Sequence, residues 1–133
     1  ALSASKRYEA YTFKSIALMN LGGIRFEQKE LPAVAQRAPV YAIASLDVNN
    51  DGNQDLILGG NMEWATPYFG AYDASQGALL LGNGQGEFSV PKASEAGLKI
   101  RGDIRSLAVI QSAKGSKYIL VGRNDDVALV FSY

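Results

Sequence analysis

Short apolar segments alternate along the chain with clusters of glycine, asparagine and aspartate. The segments are rich in Val, Ile, Leu, Tyr and Phe, and none keeps the spacing of an amphipathic helix for more than about two turns. Such runs between turn-forming clusters are typical of β-strands. The pattern therefore predicts an all-β protein, with strands near residues 13–19, 24–28, 40–47, 55–60, 77–82, 87–90, 104–111, 117–123 and 127–132.

Three of these segments are apolar at consecutive positions instead of alternate ones. They are Leu-Ile-Leu at 56–58, Leu-Leu-Leu at 79–81 and Ile-Leu-Val at 119–121. A strand that is apolar on both faces is typically covered on both faces. In an antiparallel protein stacked sheets provide that cover, as in a β-propeller, where each blade lies between two others.

The chain also resembles itself at an offset of about 62 residues. Because the aligned segments fall on predicted strands and turns, this self-similarity indicates repeated units that bury their faces against one another. The aligned pairs are 18–26 with 80–88, 55–61 with 117–123 and, at an offset of 64, 40–47 with 104–111.

With the strands of one unit lettered A to D, the order along the chain is C-D, then A-B-C-D, then A-B-C. We therefore predict one domain over 1–133, built of antiparallel four-stranded β-propeller blades, about two in number. It comprises an N-terminal extension at 1–12, a partial blade at 13–30, a complete blade at 40–91 and a partial blade at 103–133. Because a propeller needs about four to eight blades, we expect self-association, or the remainder of a longer chain, to complete it.

Residues 47–55 read DVNNDGNQD and carry the one strong motif. Ca²⁺ takes about six to eight oxygen ligands, and alternating positions of a tightly curled loop direct their side chains to one centre. Gly52 at loop position 6 permits the sharp turn, whereas Asn50 at an even position is expected to point away. The spacing predicts a Ca²⁺ site, and the alternative is a polar hairpin loop without a metal. The predicted ligands are the side chains of Asp47, Asn49, Asp51 and Asp55 and the carbonyl of Asn53.

EF-hand and dockerin loops begin with the same spacing, so the flanking residues must separate the classes. Position 12 is Leu58, where an EF-hand carries a bidentate glutamate. Asp55 is followed by Leu-Ile-Leu-Gly-Gly, which is typical of a strand. A dockerin also needs a second calcium loop, and the second copy has QSAKGS at 111–116 instead. A single site in a β-hairpin is therefore favoured.

The strand, the DxNxDGxxD loop and the DLILGG strand together resemble the calcium loop of FG-GAP/VCBS repeats, which build integrin-like calcium-binding β-propellers. More widely, residues 31–61, the YDAS and LLLGNGQGEF segments and RGDIRSL are similar to the C-terminal propeller region of long bacterial VCBS-repeat proteins. The resemblance covers most of residues 13–133. It implies that Asp47, Asn49, Asp51 and Asp55 are calcium ligands, and that the protein is bacterial and exported.

Composition narrows the function further. The chain of 133 residues has no cysteine and no histidine, which excludes thiolate and imidazole metal sites, histidine-based triads and cysteine nucleophiles. Its 13 basic residues balance its 13 acidic residues, so no net field attracts nucleic acid. No apolar run approaches the roughly 18 residues of a membrane span. We therefore expect no nucleic-acid partner and no membrane insertion.

Three weaker signals have ordinary structural explanations. Arg101, Gly102 and Asp103 spell an adhesion tripeptide but lead straight into a predicted strand. The long loop at 62–73 holds four aromatic residues that suit either a ligand platform or the cover of a sheet edge. The same loop contains one carboxylate near each end, which suggests a glycosidase pair whose separation the sequence does not fix. These loop residues are Trp64, Tyr68, Phe69 and Tyr72, with Glu63 and Asp73 as the carboxylates.

The sequence thus favours a calcium-stabilised structural or binding module over an enzyme, with a glycan or protein as the ligand. Two alternatives stay open: part of an extracytoplasmic enzyme acting on polysaccharide, and a dockerin-like assembly module. An extracytoplasmic location is expected, because calcium sites of extracellular modules need high free calcium.

Overall fold

The computed structural model describes residues 5–63, 70–92 and 97–133. Within these ranges the protein is all-β, with nine strands in three antiparallel sheets and one short 3₁₀ turn at Ala33–Gln36. The N-terminal sheet pairs β1 (Ile16–Asn20) with β2 (Phe26–Glu30). The central sheet has the order β3 (Val40–Leu46), β4 (Asp55–Gly60), β5 (Ala78–Gly82), β6 (Phe88–Ser89). The C-terminal sheet has the order β7 (Ile104–Gln111), β8 (Lys117–Arg123), β9 (Leu129–Ser132).

The prediction of an all-β fold is confirmed, and the strand positions differ most in the first hairpin. β1 begins three residues later than predicted, because the backbone of Ser15 is held by the side chain of Gln36, which accepts from its N–H and donates to its carbonyl. Phe13, which suggested a strand, is 90% exposed. β2 is shifted by two residues, because the turn at 21–25 is closed by a hydrogen bond from the N–H of Leu21 to the carbonyl of Arg25.

The central sheet is covered on both faces, as its consecutive apolar residues predict. One face packs against the N-terminal sheet and the 3₁₀ turn through Leu58 and Leu80. The other packs against the C-terminal sheet through Ala44 and Ile57, which meet Val121 and other residues of that sheet. Both faces are dry at their centres, because Ile57, Leu80 and Val121 are each at most 1% exposed. Burial of aliphatic side chains at about 25 cal/mol per Å² is the main source of stability in such a stack.

The loop with the calcium motif and the residues that follow β4 lie at opposite ends of the β3–β4 hairpin. The antiparallel register pairs Leu46 with Asp55 at the loop end and Val40 with Gly60 at the other end. None of the described segments forms a helix with the length and hydropathy of a membrane span. The two hairpin ends therefore form separate candidate sites, which are described in turn.

Candidate metal centre

The loop between β3 and β4 is closed by its first residue. Asp47 follows β3 directly, and its Oδ1 accepts a hydrogen bond from the N–H of Asp51 at 3.1 Å. Its Oδ2 accepts from the N–H of Gly52 at 2.9 Å. Asp side chains commonly cap turns in this way. The carboxylate of Asp47 therefore holds the middle of the loop curled over its own start.

Asn49 and Asp51 form the exposed centre of the loop. Asn49 Oδ1 accepts from the N–H of Asp51 at 3.1 Å, and Asn49 Nδ2 donates to Asp51 Oδ2 at 2.8 Å. Asp51 Oδ1 accepts from the N–H of Asn53 at 2.8 Å. The hydrogen bonds from Asn53 and Asn49 lower the pKa of Asp51 below its ordinary value. Asp51 therefore stays ionised at any pH near neutrality.

The backbone of the loop enters the left-handed region twice. Asn50 has φ +57° and Gly52 has φ +86°. Glycine adopts such angles without strain, and asparagine is among the few other residues that do so readily. The Asn-Asp-Gly sequence at 50–52 therefore suits this curl, and Asn50 has a conformational role in addition to pointing outward.

Asp55, the first residue of β4, serves the strands as well as the loop. Its carboxylate is fully buried, its Oδ2 accepts from the N–H of Val48 at 2.9 Å and its Oδ1 accepts from the N–H of Gly82 at 2.9 Å. One side chain thus ties the start of the 47–55 loop to the end of β5. Gly82 lies so close to this region that a side chain there would collide with the carbonyl of Gln54.

The structure therefore brings together three of the predicted ligands and places the others beside them. Asp47, Asn49 and Asp51 share hydrogen bonds, whereas the carboxylate of Asp55 bonds to backbone N–H groups of the neighbouring strands. In the part of the chain that the structure describes, no three acidic side chains converge as a ready metal cluster. The donor chemistry still suits a hard cation, since carboxylate and amide oxygens are the ligands that Ca²⁺ prefers.

A groove of about 540 Å³ runs beside the loop and includes residues that the sequence reasoning missed. Asn49 and Asp51 line one wall, and Asn83 and Glu87 from the β5–β6 turn line the other. Asn83 Nδ2 donates to Glu87 Oε2 at 2.8 Å. In the antiparallel order β3-β4-β5-β6, the β3–β4 and β5–β6 turns lie at the same end of the central sheet. The predicted order of strands could therefore have indicated that Asn83 and Glu87 lie beside the loop.

The other end of the hairpin carries a buried polar network. Asp103 is 3% exposed, its Oδ1 accepts from the N–H of Glu63 at 2.8 Å and its Oδ2 pairs with Arg105 at 2.9 Å. Asn61, also buried, donates to the carbonyls of Ser75 and Gly102. The aspartate of the adhesion tripeptide is therefore occupied inside the fold, where a large partner has no access to it.

Glu63 and Asp73 share a small polar pocket of about 250 Å³ with Arg101. Of the four aromatic residues in this loop, Tyr72 forms an antiparallel backbone bridge with Met62. The other three aromatic residues of the predicted platform, Trp64, Tyr68 and Phe69, lie outside the described residues. The structure thus brings the two carboxylates to one pocket.

No protein-family model, no curated protein and no solved structure matches this chain. The function is therefore inferred from the residues and the geometry described above.

Proposed function

We propose that this protein is a calcium-stabilised segment of a β-propeller of the FG-GAP/VCBS repeat kind, with a structural or binding role toward a glycan or a protein. The single observation that carries the calcium site is the closure of the loop by Asp47, with Asn49 and Asp51 gathered beside it. The propeller is supported by the way in which the sheets stack.

The two complete A–B hairpins share a bulge at the same place. The register shifts between Val40 and Ala42 in the first hairpin and between Ile104 and Ser106 in the second. Ala42 pairs with Gly59, and Ser106 pairs with Gly122. The first strands therefore correspond at an offset of 64, as in the sequence, whereas the second strands correspond at 63 and not at 62.

This one-residue difference matters, because it exchanges the two faces of a strand. At an offset of 63, Leu56 and Leu58 correspond to Ile119 and Val121. The first pair faces the N-terminal sheet and the second pair faces the central sheet. The central and C-terminal sheets thus use the same face against the sheet before them, and this repetition supports the proposal of successive propeller blades.

The loop has spare capacity for a cation. An ionised carboxylate offers about four lone-pair sites, and each hydrogen bond to Asp47, Asp51 or Asp55 uses only one of them. Ca²⁺ at the loop centre would take oxygen from Asp47, Asn49 and Asp51, with the carbonyl of Asn53 and the carboxylate of Asp55 completing the set. The ion would supply electrostatic cross-linking between the carboxylates of the loop. A location outside the cytosol follows from this proposal, because extracellular modules bind Ca²⁺ only at about 10⁻⁴–10⁻³ M.

Calorimetric titration of Ca²⁺ into the protein tests the site. We expect one ion per chain in the wild type and no binding heat in Asp51→Ala. The matched control is Asn50→Gly, because glycine keeps the left-handed backbone of this position whereas alanine strains it. Binding that survives in Asp51→Ala, or that is lost equally in Asn50→Gly, would remove the assignment.

An enzymatic role has one supporting observation, which is the pocket shared by Glu63 and Asp73. Glycosidases use two carboxylates roughly 5–9.5 Å apart. Turnover of any member of a glycan panel that disappears in Glu63→Gln would replace the binding role with a catalytic one. The structure does not favour the dockerin-like alternative, because the residues after the loop form the strand β4 and not a helix.

A further inference from the structure

The stack of three sheets has two outer faces with exposed apolar side chains, and no residue in the described ranges 5–63, 70–92 and 97–133 covers them. The N-terminal sheet packs on the central sheet through Ala17, and its outer face carries Leu18, 61% exposed, and Phe26, 58% exposed. The C-terminal sheet packs on the central sheet through Phe131, and its outer face carries Val130, 59% exposed. Ile110 on the same outer face is 43% exposed. The N-terminal outer face is mixed, because Leu18 pairs with Gln28 and Phe26 with Asn20, whereas the C-terminal outer face is more apolar. Soluble monomers rarely leave large apolar patches open.

These two faces are of complementary kinds. We name the face of a sheet that is turned toward the preceding sheet its front face, and the opposite face its back face. The two interfaces inside the molecule both join a back face to a front face. Ala17 on a back face meets the front-face cluster around Leu58, and Ile57 on a back face meets the front-face residue Val121. The open faces are the front of the N-terminal sheet and the back of the C-terminal sheet.

We propose that a second copy of this protein docks head to tail, with the front face of its N-terminal sheet on the back face of the C-terminal sheet. The second copy is the occupant because it carries the missing half of an interface that the molecule already makes twice within itself. Such a contact is heterologous, since two different surfaces meet. The inference rests on the sheet stacking of the proposed function and not on calcium.

The charges on the two faces permit this contact. Glu30 shares the outer face with Leu18, because its register partner is Ile16, and Lys14 Nζ neutralises it at 2.6 Å. On the outer face of the C-terminal sheet, Val130 pairs with Leu120, which in turn pairs with Ala108. These positions are all uncharged. Neither face therefore buries an unpaired charge on docking, which would otherwise cost several kcal/mol.

Sedimentation velocity over a concentration series tests the proposal by complementation. Leu18→Glu blocks the front face, and Val130→Glu blocks the back face. Each variant alone is expected to lose the concentration-dependent association of the wild type. Their equimolar mixture is expected to form a 1:1 heterodimer, because each variant keeps the face that the other lacks. The control is Ile24→Glu in the β1–β2 turn, 96% exposed and outside both faces, which is expected to associate like the wild type.

Each alternative gives a different result. A wild type that stays monomeric at every concentration overturns the proposal. Association that survives in either variant alone also overturns it, because the contact would then join two faces of the same kind. A mixture that stays monomeric also overturns it. Circular dichroism and thermal melting of each variant confirm that it is folded before mixing, and calcium titration of the same samples keeps this outcome separate from that of the metal site.

Discussion

The hairpins β3–β4 and β7–β8 have the same bulge but very different loops. The first loop holds two aspartates and an asparagine whose side chains bond to backbone N–H groups, and Asp55 fastens it to β5. The second loop, at 112–116, is closed mainly by its backbone, with the N–H of Ser112 donating to the carbonyl of Ser116 at 2.8 Å. It contains Lys114 and no carboxylate.

This difference shows that two hairpins with the same bulge pair with and without an acidic loop. The β7–β8 pairing extends over the full strands with a short neutral-to-basic loop. The acidic residues at 47–55 instead cap the backbone of their own loop and, through Asp55, tie it to β5. We propose that Ca²⁺ adds to these contacts, because Asp47, Asp51 and Asp55 keep free oxygen lone pairs and carboxylate oxygens are the ligands that Ca²⁺ prefers.

The largest expected effect comes from Asp55, whose bonds to the neighbouring strands can be tested separately from metal binding. Asp55→Asn keeps the size and shape of the side chain but replaces one of its two acceptor oxygens with an amide N–H₂ group. That group would face the backbone N–H of Val48 or Gly82. Because the site is fully buried, we expect a loss of about 3 kcal/mol in the free energy of unfolding. The loss should appear in chelator as well as in calcium, and urea unfolding under both conditions measures it.

The control for Asp55→Asn is a substitution of Lys117, which begins β8 as Asp55 begins β4. Lys117 lies over the ring of Tyr133 at 5.6 Å, and Lys117→Gln is expected to cost at most about 1 kcal/mol. An Asp55→Asn variant as stable in chelator as the wild type would show that the buried carboxylate does not hold the strands together.

A pair of glycines tests whether the β5–β6 turn is coupled to the acidic loop. Gly84 and Gly115 both have positive φ, +74° and +86°, so alanine costs each about 1–2 kcal/mol. At Gly84 the new Cβ would also lie 2.5 Å from Asn53 Oδ1, whereas at Gly115 it meets nothing within 4 Å. We expect Gly84→Ala to be less stable than Gly115→Ala by about a further 1 kcal/mol, as measured by urea unfolding.

The same glycine pair also bears on calcium affinity. Displacement of Asn53 should weaken calcium binding in Gly84→Ala and leave it unchanged in Gly115→Ala. Equal stability of the two variants, together with equal calcium affinity, would mean that the two turns are independent.

Much of the architecture could be predicted from local patterns. The consecutive apolar runs in β4 and β5 indicated a sheet covered on both faces, and Ile57 and Leu58, which face opposite sides, are both buried as that pattern requires. The same runs concealed the register, because apolar residues on both faces make offsets of 62 and 63 look alike. Phe13 misled the start of β1, since its apolar character signals a strand although its side chain is exposed.

The site was predictable only within the loop. The contacts of Asp47 and Asp51 lie within five residues, so spacing alone indicates them. The bond from Gly82 to Asp55 spans 27 residues and depends on β5 lying beside β4. Glu87 reaches the groove for the same reason. Long-range strand order is set by packing of whole sheets, which no short motif records.

The smallest expected effect concerns pH. Hydrogen bonds from Asn53 and Asn49 lower the pKa of Asp51, so its charged form stabilises the fold above the unfolded pKa. That contribution is lost as the pH falls through the lowered folded value. The stability difference between wild type and Asp51→Asn in chelator should stay constant above about pH 4 and shrink below it. A difference that instead shrinks near neutral pH would contradict this assignment of the charge.

The central claim is that the acidic loop depends on calcium for stability, and unfolding of the wild type in calcium and in chelator tests it most directly. At free calcium a hundredfold above the dissociation constant, the free energy of unfolding should rise by about 2.7 kcal/mol. Asn50→Gly should show the same rise, and Asp51→Ala should show none. Equal stability of the wild type with and without calcium, or a full calcium response in Asp51→Ala, would mean that residues 47–55 form an ordinary polar hairpin loop.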